Sequence, residues 1–535
     1  MSVPPTTPST ALVRDGVLIC ICLLALWLAF ALRTPVYFRD YSITFEGALR
    51  LYLGQVPYRD FGSPVGPFSF VIPAILFKLI APSWTVFMFA QQLINGVMLL
   101  LVNALLLRMG VREAMRWVSL GLFTALYLLL LTHPWYNSTG AMLLLAASYC
   151  AMRPGWRRAL GSGLLSGLAI LTKQDFGAVT VLVAGFMVAL ANLGSDFEKI
   201  VPTWPSLREP KRLRAAALSV LVFAIAAVTL VVLFIYSTDP IQFAYWFNYG
   251  QAPHHHRGVT LNDLIGNTYG HLALLIAALA LGRNNFRLLL VSIFITAASV
   301  TRTTSGLGFT HYYFIAFLPL MIDECLRISI LFKPLLLALI VYASLLLISH
   351  PATDAYHVVE AIIERQPEHF FYDYRLNSKP LVPVPEDLHA FSPHTLMPQE
   401  TIDAIRFIKQ RAQSRRAIAH NTAPLRILNM TELTPIYAEL EVDPPRRLPL
   451  WFHTRASLFP HQISDLTLTL AGNEYDFVLL QGTHEGMTPT YRAFLKTLEK
   501  NSKYRLVTTI IDTPADTTWH CAPDCEGMIY VFEKL

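Results

Sequence analysis

The sequence predicts an all-α polytopic membrane domain of about eleven transmembrane helices, followed by a small C-terminal extracytoplasmic α/β domain. Three observations predict it. Apolar residues make up 54% of the 535 residues and charged residues 15%, against the roughly 25% of a soluble chain, so much of the surface never meets water. From about Arg14 to His350, apolar runs alternate with short polar connectors. Beyond His350 the chain turns polar and proline-rich, then settles into short helical and strand-like segments. The same figures exclude disordered, collagen-like and disulfide-scaffold classes. The net charge of +6 does not point to nucleic acid, because the basic residues sort by membrane side.

The apolar runs predict spans near 16–32, 84–107, 117–132, 141–152, 159–172, 178–193, 215–236, 262–281, 288–300, 311–325 and 330–348. The first has only Arg14 before it and no small-residue cleavage site after it, which reads as an anchor rather than a removable signal peptide. A cytoplasmic N-terminus puts Arg108, Arg112 and Arg116, then Arg153, Arg157 and Arg158, then the Lys199 to Arg214 loop, then Arg283 and Arg287 inside. That orientation gathers sixteen basic residues inside against eight outside before the tail. It requires that 67–82 does not cross, so this stretch is expected to lie along the outer surface within a first outer loop over 34–83. The expected organisation is a membrane domain over 1–350, a linker over 351–398 and an outward domain over 399–535.

In the tail, "KPLVPVPEDLH" reads as part of a wrapping linker. A helical pattern at Glu400 to Gln413 precedes apolar strands at Arg426 to Met430, Asp476 to Gln481, Arg505 to Ile511 and Met528 to Phe532. No Gly-x-Gly-x-x-Gly turn is present, so no nucleotide site is expected. Cys521 and Cys525 fall in this outward part, where a disulfide between them can persist. Cys20, Cys22, Cys150 and Cys325 lie in or beside spans and read as packing residues.

Chemistry in such a protein is sought where ionisable residues gather at one depth, since a buried Asp or Arg costs roughly 2.5–3.5 kcal/mol on insertion scales. The expected spans are nearly free of charge, which counts against a proton-coupled pump. The densest feature is the first outer loop, "FRDYSITFEGALRLYLGQVPYRDFGSPVGPFSF", with Asp40, Glu46 and Asp60 among Arg39, Arg50 and Arg59. "ITFEGALRLYL" has the pattern of a short amphipathic helix, which puts Asp40 where the chain leaves the bilayer. Carboxylates beside arginine stay ionised, which suits a general base or a metal ligand. A solvated loop of exchanging ion pairs is the plain alternative.

An Asp just past the first span, then "EGALRLYLGQVPYRDF", then "SPVGPFSFVIPAILFKLI", together resemble the first extracytoplasmic loop of GT-C glycosyltransferases. The nearest group is the protein O-mannosyltransferase-like family, which includes the lipid A aminoarabinose transferases. "GLLSGLAILTKQDFGAV" is similar to that family's G-L-A-x-L-T-K segment, and "HYYFIAFLPLM" to its Tyr-Tyr followed by Leu-Pro. The resemblance covers roughly residues 10 to 350. It implies a GT-C-like fold and transfer of a sugar from a polyprenyl-phosphate carrier to a glycan, lipid or protein acceptor at the outer face of a membrane. A bacterial inner membrane is the expected location. By the same resemblance Asp40 matches the catalytic base. The family often has Asp-Glu there, whereas Tyr41 follows here, so a second carboxylate would be Glu46 or Asp60. The family's carrier-binding Lys is replaced by Ser63 and Pro64, leaving Arg59 or Lys173 to neutralise a phosphate.

Lys173 and Asp175 emerge from a span oriented outward, at the level of the first loop; a snorkelling Lys paired with Asp is the bland alternative. In the outward loop "THPWYNSTG", His133 reads as a capping or interfacial residue, and the sequon at Asn137 lies too close to the bilayer to accept a glycan well. Three consecutive imidazoles, His254 to His256, cannot all turn to one ion, so they suit a flexible covering loop better than a metal site. Arg302 and Tyr312 fall at the outer edge, where tyrosines commonly mark the headgroup belt; the resemblance makes both candidate phosphate or sugar contacts. No motif demands a cofactor or fixes a metal, and the chemistry leaves room for a divalent ion. Two other function classes remain open: a lipid-linked sugar transporter, and a polymerase or ligase acting on carrier diphosphates. The transferase reading requires acidic and cationic side chains from distant stretches of chain to meet at the non-cytosolic lip of the bilayer, whereas a transporter would need polar groups along a path through it.

Overall fold

The computed structural model describes residues 8–33, 39–194, 209–247, 286–305, 309–327, 333–364, 381–392, 395–418, 425–431, 433–450, 452, 458–472, 474–483, 489–512 and 527–535. The helices begin with α1 (Pro8–Leu32), α2 (Arg39–Tyr52), α3 (Phe68–Leu79), α4 (Trp84–Arg108), α5 (Glu113–Leu126), α6 (Tyr136–Ala151), α7 (Trp156–Ile170) and α8 (Gln174–Asn192). They continue with α9 (Pro210–Ser237), α10 (Pro240–Trp246), α11 (Phe286–Ser305), α12 (Leu318–Arg327), α13 (Lys333–Glu364) and α14 (Gln399–Ile418). The last are α15 (Ile436–Glu439), α16 (Pro460–Ala471) and α17 (Pro489–Lys500).

Six helical stretches among the described residues are long and apolar enough to cross a membrane: Arg14–Leu32, Trp84–Arg108, Glu113–Leu130, Gln174–Asn192, Pro210–Ser237 and Leu337–Glu364. The protein is an integral membrane protein on this ground. α3 has 12 residues and so reaches only about 18 Å, short of a bilayer core of about 30 Å. The span expected near 262–281 lies outside the described residues. The run expected near 311–325 is not one α-helix. Tight 3-10 turns over Phe309–Phe317 give way to α12, whose second residue, Pro319, lacks an N–H and is best placed at a helix start. α13 runs to Glu364, beyond the boundary expected near His350, and carries Pro351 inside it. Its polar extension is a good helix former, with Tyr356 donating to Glu360 Oε1 at 2.8 Å one turn on.

The chain divides into two compact units: Met1–Leu32 with Gln91–Phe234 and Arg257–Glu360, and Arg33–Ala90 with Ile235–His256 and Ala361–Leu535. The first is helical. α6, α7 and α8 pack on one another, and α7 meets α9 through Gly163 and Gly167, four residues apart. A Cβ at Gly163 would stand 2.3 Å from the Phe223 carbonyl oxygen, and one at Gly167 3.0 Å from that of Ala227, so glycine sets the closeness of the two backbones. Two charge pairs tie this unit together: buried Arg116 bonds both oxygens of buried Asp15 at 2.8 and 2.7 Å, and Arg112 pairs with Asp323.

The second unit joins the segment after α1 to the C-terminal part of the chain. Its main sheet has four strands in the order β4 (Ile427–Met430), β6 (Phe477–Thr483), β8 (Gly527–Lys534), β7 (Tyr504–Asp512). β4 and β6 are parallel; β8 runs antiparallel to both its neighbours. Leu428, Val478 and Phe532 pack with Leu466 and Leu470 of α16 and Phe494 and Leu498 of α17 to make the core. Two smaller pairings belong here: β2 (Leu381–Pro383) with β3 (Leu396–Pro398), and β1 (Phe61–Gly62), parallel to β5 (Leu448–Pro449). Cys521 and Cys525 lie outside the described residues.

Candidate functional site: two polar clusters

In the second unit, α2 is buried from Tyr41 to Arg50. Phe45 meets the rings of Phe77, Trp84 and Phe87, and Gly47 lies so close under Phe70 that a Cβ would stand 2.7 Å from its ring. Glu46 and Arg50, one helical turn apart with the acid on the N-terminal side, form an ion pair. Arg50 donates from Nε at 2.8 Å and Nη2 at 2.6 Å to Glu46 Oε1, and from Nη1 to Gln55 Oε1 at 2.9 Å and to the Pro445 carbonyl at 2.8 Å. Gln55 in turn donates to the Pro444 carbonyl at 2.8 Å. The side chains are 1% and 3% exposed, so this pair is committed to holding α2 against the 444–445 peptide. Burial pushes the Glu46 carboxyl up, against the pull of Arg50.

α2 ends through Gly54 in the left-handed region (φ 78), with Gln55 N–H returning to the Arg50 carbonyl at 2.8 Å. The turn that follows is built around Asp60. Its Oδ2 accepts the Val56 N–H at 2.8 Å and Arg59 Nη2 at 3.0 Å, and its Oδ1 lies 3.5 Å from Arg446 Nη1. Burial alone would raise the Asp60 carboxyl, but the Val56 N–H and then Arg59 and Arg446 outweigh it and hold the group below its ordinary value. Asp60 is buried while Arg59 and Arg446 are exposed, so an ionised carboxylate anchors two guanidinium groups that face solvent. The Asp60 carbonyl also accepts the Arg447 N–H at 2.5 Å, which opens the β1–β5 pairing. Gly62 on β1 lies beneath Trp246 of α10, where a Cβ would stand 2.1 Å from the indole. Asp239 caps α10 by accepting the N–H groups of Ile241 and Gln242 at 2.9 and 3.0 Å.

Ser63, which stands where the resembled family has lysine, is fully buried and donates to the Val65 carbonyl at 2.8 Å. Asp40 falls in the first turn of α2, and its side chain lies outside the described part of the structure.

The first unit holds the other expected residues. Lys173 precedes α8 in an extended conformation, φ −159 and ψ 138. Its Nζ donates to Asn137 Oδ1 at 2.9 Å and pairs with Asp175 Oδ2 at 3.1 Å, 5.2 Å from the centre of the Tyr136 ring. Asp175 Oδ1 accepts the Phe176 N–H at 2.7 Å. The Phe176 ring stacks on His311 at 5.6 Å, and His311 Nδ1 lies 2.9 Å from Thr301 Oγ1. Arg302 follows Thr301 and is half-buried, and Tyr312 follows His311 and is buried. The structure thus joins Lys173 with Asp175 and links them through packed rings to the segments bearing Arg302 and Tyr312. Asn137 is not in a loop: α6 starts at Tyr136, with Ser138 Oγ donating to the Trp135 carbonyl at 2.9 Å, so the sequon is 1% exposed inside a helix. His254 to His256 lie outside the described residues.

No family model matches the chain, and no curated protein matches it either. Among solved structures it is similar to the crystal structure of ArnT from Cupriavidus metallidurans bound to undecaprenyl phosphate. The identity is 13% and the TM-score 0.49, over 97% of this chain and 98% of that one. The apo state of ArnT from the same organism gives 13% identity and a TM-score of 0.49, over 98% of both chains.

Chemically, the two clusters differ. Lys173 is neutralised by Asp175 inside a packed network. Around Asp60, one carboxylate serves two guanidinium groups, leaving N–H donors for an anion. Among the described residues no group of three His, Cys, Asp or Glu is placed to hold a metal ion. Sequence reasoning missed Arg446, Arg447, Gln55 and Trp246. A signal for the first two was present: "DPPRRLPL" sets two arginines behind two prolines in a region otherwise read as helix and strand.

Proposed function

We propose that the protein is a membrane glycosyltransferase that moves a sugar from a polyprenyl-phosphate carrier to an envelope glycan, lipid or protein acceptor on the outer face of a bacterial plasma membrane. The acceptor hydroxyl oxygen attacks the anomeric carbon and the carbon–oxygen bond to the carrier phosphate breaks. The phosphate leaves with the electron pair, and Asp40 takes the hydroxyl proton. Direct displacement inverts the anomeric centre. Cations lower the barrier by meeting the charge that develops on the leaving phosphate, the role given to Arg59, Lys173 and Arg302, with Tyr312 orienting the donor. In this reading about eleven spans, with the N-terminus in the cytoplasm, put the C-terminal α/β part outside.

The observation that carries the reading is the juxtamembrane segment of the second unit. In a chain with six membrane-length helices among its described residues, it presents an ionised Asp60 with exposed Arg59, on the stretch whose sequence resembles the GT-C first loop. The experiment is transfer by Asp40→Asn in membranes supplied with donor. The expected loss is about 10²–10⁴-fold with the amount of folded protein unchanged. Transfer at the wild-type rate rejects Asp40 as the base.

A further inference from the structure

We propose that Arg59, Arg446 and Arg447 form a binding site for a phosphate group, with Asp60 as the residue that positions them. Arg59 and Arg446 approach different oxygens of one buried carboxylate, at 3.0 and 3.5 Å, and their side chains remain 55% and 61% exposed. Arg447 is exposed as well, and among the described residues its guanidinium has no partner. Two positive charges therefore meet one negative charge, and Arg447, next in the chain, adds a third exposed guanidinium. Each guanidinium keeps planar N–H donors that match a phosphate in a two-point fashion.

The presentation is rigid rather than that of a mobile surface. Pro444 and Pro445 precede the arginine pair, and their carbonyls are fixed by Gln55 and Arg50 from beneath. The Arg447 N–H is fixed by the Asp60 carbonyl, and β5 follows at once in register with β1. Tyr58 and Arg447, on the two strands' approaches to this pairing, both hold left-handed backbone (φ 64 and 63), a conformation unfavourable for side chains of this kind. Strain of this sort tends to persist where a site needs it. Both segments that supply the arginines belong to the same compact unit. In the proposed transferase the phosphate is that of the carrier, and this last identification rests on that reading; the binding of a phosphate group does not.

The test uses the full-length protein in detergent with two probes, inorganic phosphate and decyl phosphate, titrated against wild type, R446Q/R447Q and R446K/R447K. Loss of a charged hydrogen-bond donor predicts roughly tenfold weaker binding per arginine in the glutamine variant, with the lysine variant in between. Weakening of both probes supports a site for the phosphate group itself. Weakening of decyl phosphate alone supports a site for a lipid-borne phosphate. Unchanged binding of both probes, in a variant that melts as wild type does, overturns the proposal. The two readings fail separately. Phosphate binding lost in R446Q/R447Q while the wild type transfers no sugar sinks the transferase and leaves the site. Sugar transfer by R446Q/R447Q with wild-type KM, while its phosphate binding is lost, sinks the identification with the carrier phosphate and leaves both the site and the transferase.

Discussion

Two carboxylate–guanidinium pairs lie close together in the sequence of the second unit, and they have opposite characters. Glu46–Arg50 is sealed: both side chains are buried, and Arg50 fills its donors with Glu46, Gln55 and the Pro445 carbonyl. Asp60–Arg59 is open: the carboxylate is buried, and the cations face outward. The difference teaches that the residue types alone do not mark a site. What marks it is which partner keeps unspent hydrogen-bonding capacity at the surface. Lys173, bonded to Asn137 and Asp175 in the first unit, resembles the sealed case.

The comparison breaks first at Glu46. Glu46→Ala leaves Arg50 charged and buried without its partner, which should cost about 3–5 kcal/mol in thermal unfolding of the detergent-solubilised protein. Replacing both residues with methionine should recover most of that loss, because two apolar side chains carry no desolvation penalty. A small effect of Glu46→Ala would mean that the pair is not sealed.

Asp60 sharpens the contrast through pH. Its carboxyl is held below its ordinary value in the folded state, so below about pH 4 the unfolded chain binds the proton more readily than the folded one. Stability from Asp60 is therefore full above that range and is lost as the pH falls through the folded value. Asp60→Asn should cost about 1 kcal/mol at neutral pH and flatten this acid limb, as read from melting temperature between pH 3 and 7. An unchanged acid limb would contradict the assigned partners. The smallest effect belongs to Arg59→Ala, an exposed partner, which should shift stability by less than about 1 kcal/mol while weakening phosphate binding.

Much of this was readable in advance, and the reasons are local. "ITFEGALRLYL" carries the period of α2, and the Glu46–Arg50 spacing is the one that pairs side chains on a helix. The four strands of the main sheet fall on the apolar runs that name them, because a strand announces itself within a few residues. What escaped depends on distant chain. The carbonyls that complete the Arg50 bonds come from residues 444 and 445, and no property of residues 46–60 points to them. Asn137 reads as loop because it stands in the short polar stretch "THPWYNSTG" between two apolar runs. The helix begins at Tyr136, with Ser138 bonding back to the Trp135 carbonyl, and Gly140 packs under Phe176, where a Cβ would stand 2.6 Å from the ring. The apolar run ends near residue 348, but the helix continues to Glu364, since helical side-chain pairing such as Tyr356 with Glu360 does not need apolar residues.

The most direct measurement of the proposed activity is mass spectrometry of carrier lipids and envelope glycans after deletion of the gene. The account predicts that one sugar linked to a carrier monophosphate accumulates while one decorated glycan, lipid or protein disappears. Accumulation of a diphosphate-linked sugar instead, or an unchanged lipid pool beside an unchanged envelope, would contradict it.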